Sequence, residues 1–154
     1  MSGPGRSVVV GVDGSTSALH AVRWAARAAE SRGRDLLVVH AYGGVDPTLV
    51  IEAELWRRYE HELVSRAHEV VAEAVAAARE VAPSVAVTEE LVVGTAAPAL
   101  LARATSDGLL VVGEQGASGL EGALVGSVAS AVAGHAPGPV VVVRGDEPVD
   151  PDAP

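Results

Sequence analysis

The 154-residue sequence contains no cysteine, no lysine and no phenylalanine. Without cysteine, the chain has no disulfide bond, no thiol nucleophile and no thiolate metal site. Without lysine, both a Schiff-base mechanism and the Walker A phosphate loop, which needs a lysine, are excluded. Since proteins of reducing compartments rarely use disulfides, the lack of cysteine fits the cytoplasmic location that we expect.

Long hydrophobic runs are also missing. The first apolar run, in "MSGPGRSVVVGVDGS", is short and interrupted by glycine, which is not the pattern of a signal peptide. No run approaches the roughly 18–20 apolar residues of a membrane-spanning helix. We therefore expect neither a secretory leader nor a membrane partner.

The charge and the aromatic content argue against a nucleic-acid partner. The formal net charge is −9, whereas a protein that binds a phosphate backbone usually presents a basic face. Aromatic residues make up only 3% of the chain, so platforms for stacking bases are not expected.

Apolar runs alternate with segments of helical periodicity along most of the chain. The continuous β-branched run at 7–12 is typical of a strand that is covered on both faces. The alternation predicts an α/β fold, a doubly wound open sheet of parallel strands with helices on both faces. We predict a flexible tail over 1–6, one domain over 7–144 and a flexible acidic tail over 145–154. The predicted strands are 7–12, 35–41, 84–94, 108–113 and 138–144, and the predicted helices are 15–32, 50–81, 96–105 and 127–134.

Two of the predicted strands end in unusual residues. The first ends at Gly11 and is followed by Asp13, whose carboxylate suits ribose hydroxyls or a base edge. The fourth ends at Gly113, where glycines let main-chain N–H groups approach an anion. Gly126 and Ser127 then start a helix, whose N-terminal N–H groups and dipole favour a phosphate. Ligands of open α/β sheets bind at such strand ends, so these residues predict a phosphate cradle without lysine.

Each of these residues also has a purely structural interpretation. A glycine after a strand often serves only as a turn, and Ser127 alone often serves only as a helix cap. The set is more specific than its members, because it follows the spacing G-x2-G-x9-G-S from Gly113 through Gly116 to Gly126 and Ser127.

Three segments resemble the universal stress protein family: "VVVGVDGS", "LLVVHAY" and "LLVVGEQGASGLEGALVGSVASAVAGHAPGPVVVVR". The last follows the ATP-binding pattern of that family. The resemblance implies five strands in the order 3-2-1-4-5 and an ATP site, with Mg²⁺ as a possible companion of the nucleotide. It assigns no catalytic residue and no metal ligand. It places adenosine near Gly11, Val12, Asp13 and Ala41, the base over Val112, and ribose and phosphates at Gly113, Gly116, Gly126, Ser127 and Val128.

The chain departs from the family pattern where Glu114 and Gln115 replace small or basic residues, and where Ala129 replaces a hydroxyl. A carboxylate about 6 Å from a phosphate charge, at an effective dielectric constant of about 20, repels it by roughly 3 kcal/mol. A helix N-terminus returns only about 0.3–2 kcal/mol. Glu114 therefore opposes ATP if it faces the phosphates. It does not if it points to solvent or holds Mg²⁺ through water.

The resemblance implies an ATP-binding protein with a regulatory role in the stress response and a homodimer paired through Val140–Val143. We expect little or slow ATP hydrolysis, because no general base beyond Asp13 and no arginine finger is evident. A dimeric scaffold that does not bind nucleotide and a slow ATPase stay open as alternatives, and the downstream protein partner is not identified by the sequence. For His40 we expect a structural hydrogen bond rather than catalysis.

Overall fold

The computed structural model describes residues 7–43, 52–114 and 126–145. The predicted tails, apart from Gly145, lie outside the described residues, and the domain boundaries stay a prediction. Strands and helices alternate along the described part of the chain, as the sequence predicts. They are β1 (Val8–Gly11), α1 (Thr16–Arg32), β2 (Leu36–Tyr42), α2 (Ala53–Val81), β3 (Val87–Val93), α3 (Ala96–Leu101), β4 (Leu109–Gly113), α4 (Ser127–His135) and β5 (Val140–Val143).

The strands form one parallel sheet in the order β3-β2-β1-β4-β5, which confirms the predicted topology. Val10 of β1 pairs with Val38 on one side and with Val111 on the other. The chain thus winds outward in both directions from β1 and β4. The carboxyl ends of these two neighbouring strands are the place where the strand order reverses, and open α/β sheets bind their ligands in the crevice at such a point.

Each face of the sheet carries two helices. Alternate residues such as Val10, Val38 and Val111 pack with the alanine-rich face of α1 and with α2. The other set, including Val9 and Val39, packs with α3 and α4. Because both faces are covered, the strands contain continuous apolar runs instead of alternating ones.

Helix α1 begins and ends where the sequence indicates. The Ser15 hydroxyl accepts a hydrogen bond of 3.1 Å from the Ala18 amide, which caps the first turn. Gly33 adopts the left-handed conformation, with φ of 62°, and its amide donates to the last carbonyls of the helix. The Ser15 cap fixes the start of α1 directly after the end of β1, and Gly33 ends the helix.

Only the second half of α2 packs on the sheet. The buried side chains of this helix begin at Ala67, whereas Leu55 is 58% exposed. The apolar side of α2 is therefore covered from Ala67 onward, and residues 53–66, roughly 20 Å of helix, lie outside the core. Within the described residues, neither this helix nor any other is long and apolar enough to cross a membrane.

An ion pair fastens α3 to the sheet. The Arg103 guanidinium donates from Nε to Oε1 of Glu90 in β3 at 2.9 Å and from Nη2 to Oε2, and its Nη1 donates to the Ala99 carbonyl at 2.7 Å. The hydrogen bonds from Arg103 hold the pKa of Glu90 below its usual range. The pair anchors the helix that carries Leu100, which lies against the candidate site.

Candidate functional site

At the end of β1, the chain holds Asp13 in a fixed position. The Ser15 amide donates to Asp13 Oδ1 at 3.0 Å, and Gly14 makes the turn with φ of 87°. Because Ser15 also caps α1, the carboxylate is tied to the first turn of that helix. The sequence Asp-Gly-Ser therefore places an acid, half-buried and oriented, beside the end of β4.

Gly113, at the end of β4, lies against the first turn of α1. A Cβ atom at this position would be 2.4 Å from Ser17 Oγ and 2.8 Å from the Ser17 carbonyl oxygen. The close approach of α1 thus requires glycine here, independently of any ligand. Sequence reasoning assigned this glycine to an anion and missed the helix contact.

Gly11 has a similar structural role on the other face of the sheet. A Cβ atom there would be 2.6 Å from Leu100 Cδ1 of α3, and Leu100 is almost fully buried. The sequence offered no signal for this contact, because Leu100 is far along the chain and belongs to an ordinary helical pattern.

The first turn of α4 presents main-chain donors. Gly126 is the N-cap, and its own amide donates to the Glu114 carbonyl at 2.5 Å, so this amide is already used. The first helical hydrogen bond runs from the Ser130 amide to the Gly126 carbonyl. The amides of Ser127 and Val128 lie in the turn that has no intrahelical acceptors, and these are the donors suited to an anion.

The carboxylate of Glu114 is directed toward the end of β5. Its Oε1 accepts from the Gly145 amide at 3.3 Å, and its Oε2 lies 4.0 Å from Arg144 Nε. In the strand order, β5 and β1 lie on opposite sides of β4. The acid is therefore held at the end of β5, on the opposite side of β4 from β1, by contacts that the sequence did not reveal.

The other predicted residues differ in which face of the sheet they occupy. Val112 packs with the core under α3 and α4, and Ala41 shares the face of Val39 by strand alternation. Val12 packs with the opposite core, so only its backbone can reach a ligand on the α3 side. Val128 is half-buried against the α3 and α4 core.

The structure thus brings most of the predicted site residues to one edge of the sheet. The strand-end residues meet around the carboxyl ends of β1, β2 and β4, and the start of α4 is joined to them through the hydrogen bond between Gly126 and Glu114. Gly116 lies outside the described residues. The residues at this edge are Gly11, Val12, Asp13, Ala41, Val112, Gly113, Gly126, Ser127 and Val128.

Comparison with known protein families identifies the family of this chain. The sequence profile described as "Universal stress protein family" matches residues 5–144. The chain belongs to the universal stress protein family. Among curated relatives, Universal stress protein Rv1996 of Mycobacterium tuberculosis is 36% identical over 153 residues, covering 88% of this chain and 47% of the relative. Universal stress protein Rv2623 of the same organism is 38% identical over 138 residues, covering 89% and 44%. This universal stress protein spans about half the length of these relatives.

Solved universal stress proteins have the same architecture. One, in complex with cAMP, is 30% identical, with a TM-score of 0.67 and coverage of 90% of this chain and 96% of that one. Another, from Archaeoglobus fulgidus in complex with dAMP, is 27% identical, with a TM-score of 0.59 and coverage of 89% and 96%. UspA of Lactobacillus plantarum, at 21% identity and a TM-score of 0.74, covers 93% of this chain and shares the fold.

Proposed function

We propose that this universal stress protein binds ATP at the carboxyl edge of β1 and β4, and that nucleotide occupancy acts as a regulatory signal in a cytoplasmic stress response. The orientation of Glu114 is the observation that carries the proposal. Its carboxylate is engaged by Gly145 and Arg144 at the end of β5, so the one acid that departs from the family pattern does not face Asp13.

The proposed binding mode uses backbone and shape more than charge. Adenosine lies near Gly11, Val12 and Ala41, with Val112 under the base, and Asp13 accepts from the ribose hydroxyls. The amides of Ser127 and Val128 bind phosphate, and Mg²⁺ accompanies the triphosphate. The complexes of two related proteins with cAMP and dAMP support a site for an adenine nucleotide.

Hydrolysis is expected to be slow or absent. Asp13 is the one general-base candidate that the sequence offers, but its Oδ1 already accepts from the Ser15 amide. The Ser15 amide fixes this carboxylate in the turn before α1, and the proposed binding mode assigns it to the ribose hydroxyls, so we do not expect it to activate water. The protein therefore acts as a nucleotide-dependent switch, and a change in the population of its binding-competent state transmits the signal.

The nucleotide content of the purified protein tests the proposal. Acid denaturation followed by chromatography should release an adenine nucleotide. Calorimetry should then show ATP binding to the emptied protein in Mg²⁺. A lack of heat with ATP and ADP at millimolar concentration would instead favour a scaffold that binds no nucleotide. Sustained turnover that is lost in Asp13→Ala would favour a slow ATPase.

Substitution of Asp13 separates its charge from its role in the turn. Asp13→Ala should weaken ATP binding by at least about tenfold, since tenfold corresponds to the lower end of the roughly 1.5–3 kcal/mol that a hydrogen bond to a charged group contributes. Asp13→Asn keeps an acceptor for the Ser15 amide, so it should retain the stability of the wild type and lose part of the affinity. Asp107→Asn, the same chemical change in the exposed loop before β4, serves as the control in calorimetry. Unchanged affinity in Asp13→Ala would contradict the proposed role.

We also propose a homodimer paired through Val140–Val143. Strand β5 lies at an edge of the sheet, and an apolar edge strand favours pairing with a second copy. The carbonyls of Pro139 and Val143 accept from β4, so the alternation of the backbone points the Val142 amide toward the free edge.

The outward amide of Val142 allows a selective test of the dimer. Val142→Pro removes the edge donor and should give a monomer, whereas Val142→Ala removes the same side-chain contacts but keeps the amide and should stay dimeric. Light scattering at micromolar concentration measures both. A monomeric wild type would overturn the dimer.

A further inference from the structure

His40 is the one polar or charged side chain that is buried within the described residues. Its Nδ1 atom lies 2.7 Å from the carbonyl oxygen of Val12, and its ring stacks on Tyr42 with a centroid distance of 6.3 Å. Both contacts restrain the ring. The ring is therefore held against the peptide that follows the end of β1.

The chemistry of this contact determines where the ring carries its proton. A carbonyl oxygen only accepts hydrogen bonds, so Nδ1 must donate. The neutral histidine side chain in water prefers the other tautomer, with the proton on Nε2. The contact with Val12 thus selects the Nδ1–H form of His40, and this selection can be measured.

The hydrogen bond from His40 falls where the ladder between β1 and β2 ends. Gly11 and Val39 form the last register pair, and the Val12 amide still donates to the Val39 carbonyl at 2.9 Å. The next backbone group along the chain, the Val12 carbonyl, accepts from the His40 ring and not from the backbone of β2. The imidazole therefore holds the peptide between Val12 and Asp13, which follows β1, in place beyond the end of the regular ladder.

The planarity of that peptide passes the restraint to the next residue. In a trans peptide the C=O and N–H groups point in opposite directions. Because the Val12 carbonyl points toward β2, the amide of Asp13 points the other way, toward β4. This is the crevice in which the proposed nucleotide lies.

We propose that His40 is a positioning residue of the nucleotide site. By binding the Val12 carbonyl, it keeps the Asp13 amide directed between β1 and β4 as a hydrogen-bond donor to the nucleotide. The proposal rests on the proposed function, since it gives this buried histidine a role in a site that it does not touch.

Three substitutions of His40 test the role. Asparagine carries an amide nitrogen near the position of Nδ1, whereas glutamine carries it near the position of Nε2. His40→Asn should therefore bind ATP within about twofold of the wild type. His40→Gln and His40→Leu should bind about 5- to 10-fold more weakly, the range expected for one misdirected hydrogen bond. The melting temperatures of the Asn and Gln variants should agree closely. A difference in their ATP affinity would then reflect the position of the Asp13 amide and not the stability of the fold.

Nuclear magnetic resonance provides a readout without nucleotide. The ¹⁵N shifts of the His40 ring should show a protonated Nδ1, and the Asp13 amide signal should move in His40→Gln but little in His40→Asn. An Nε2–H tautomer in the wild type, or equal ATP affinity of the Gln and Asn variants, would overturn the role of His40 and leave ATP binding intact. A wild type that binds no adenine nucleotide would overturn the proposed function, and the role of His40 with it.

Discussion

Gly113→Ala is expected to lower the free energy of unfolding by about 2–3 kcal/mol, even in the absence of nucleotide. The added methyl group would meet the Ser17 carbonyl oxygen at 2.8 Å and its carbonyl carbon at 2.9 Å. These atoms belong to the backbone of α1 and cannot rotate away, so the helix must shift on the sheet. For a domain of this size, the expected decrease in melting temperature is about 5–10 °C.

Two other glycines serve as matched controls for this measurement. At Gly11 an added methyl group would meet the end of the Leu100 side chain, which can move, so Gly11→Ala should be less destabilising. At Gly134, in α4, nothing lies within 4 Å of the added atom, and alanine should stabilise the helix by about 0.5–1 kcal/mol. If Gly113→Ala melts like the wild type but fails to bind ATP, the packing explanation is wrong and the glycine serves the ligand.

The fold could be predicted from the sequence because its main features are local. A strand that is covered on both faces has a continuous apolar run in the sequence, such as the one at 7–12. Helix α1 has its serine cap and its glycine stop within the same short segment. The order of the strands came from the family resemblance, since periodicity alone does not fix which strands are neighbours.

The site was less predictable, because its details depend on residues that are distant in the chain. Glu114 is held by Gly145, which lies 31 positions further along the sequence. The space that a Cβ atom would need at Gly11 is occupied by Leu100, and at Gly113 it is occupied by Ser17. No local pattern reveals such contacts. Gly113, which suited a phosphate cradle by spacing, and Gly11, which the family resemblance placed near adenosine, both lie where a helix residue leaves no room for a side chain.

Burial along α2 could not be predicted from the local sequence pattern either. Leu55 continues the apolar periodicity that Ala67 and Val70 follow, yet Leu55 is 58% exposed and those two are buried. Periodicity identifies an apolar face of a helix but does not show whether a sheet lies beneath it.

Ser127→Asp should weaken ATP binding by up to about 100-fold while leaving the protein at least as stable as the wild type. Ser127 is exposed in the first turn of α4, which contains no acidic residue. A carboxylate about 6 Å from a phosphate charge, at an effective dielectric constant of about 20, repels it by roughly 3 kcal/mol. The same carboxylate interacts favourably with the helix dipole by about 0.3–1 kcal/mol, so binding and stability should change in opposite directions.

A neutral variant and a ligand without phosphate show whether the loss of affinity in Ser127→Asp comes from repulsion of the phosphates. Ser127→Asn has nearly the same shape as Ser127→Asp without the charge, and it should bind ATP within a few-fold of the wild type. Adenosine, which has no phosphate, should bind the aspartate variant and the wild type equally in calorimetry. If the aspartate variant retains full affinity for ATP, the phosphates do not lie at the start of α4. If it loses adenosine as well, the substitution has disturbed the whole site, and repulsion is not the explanation.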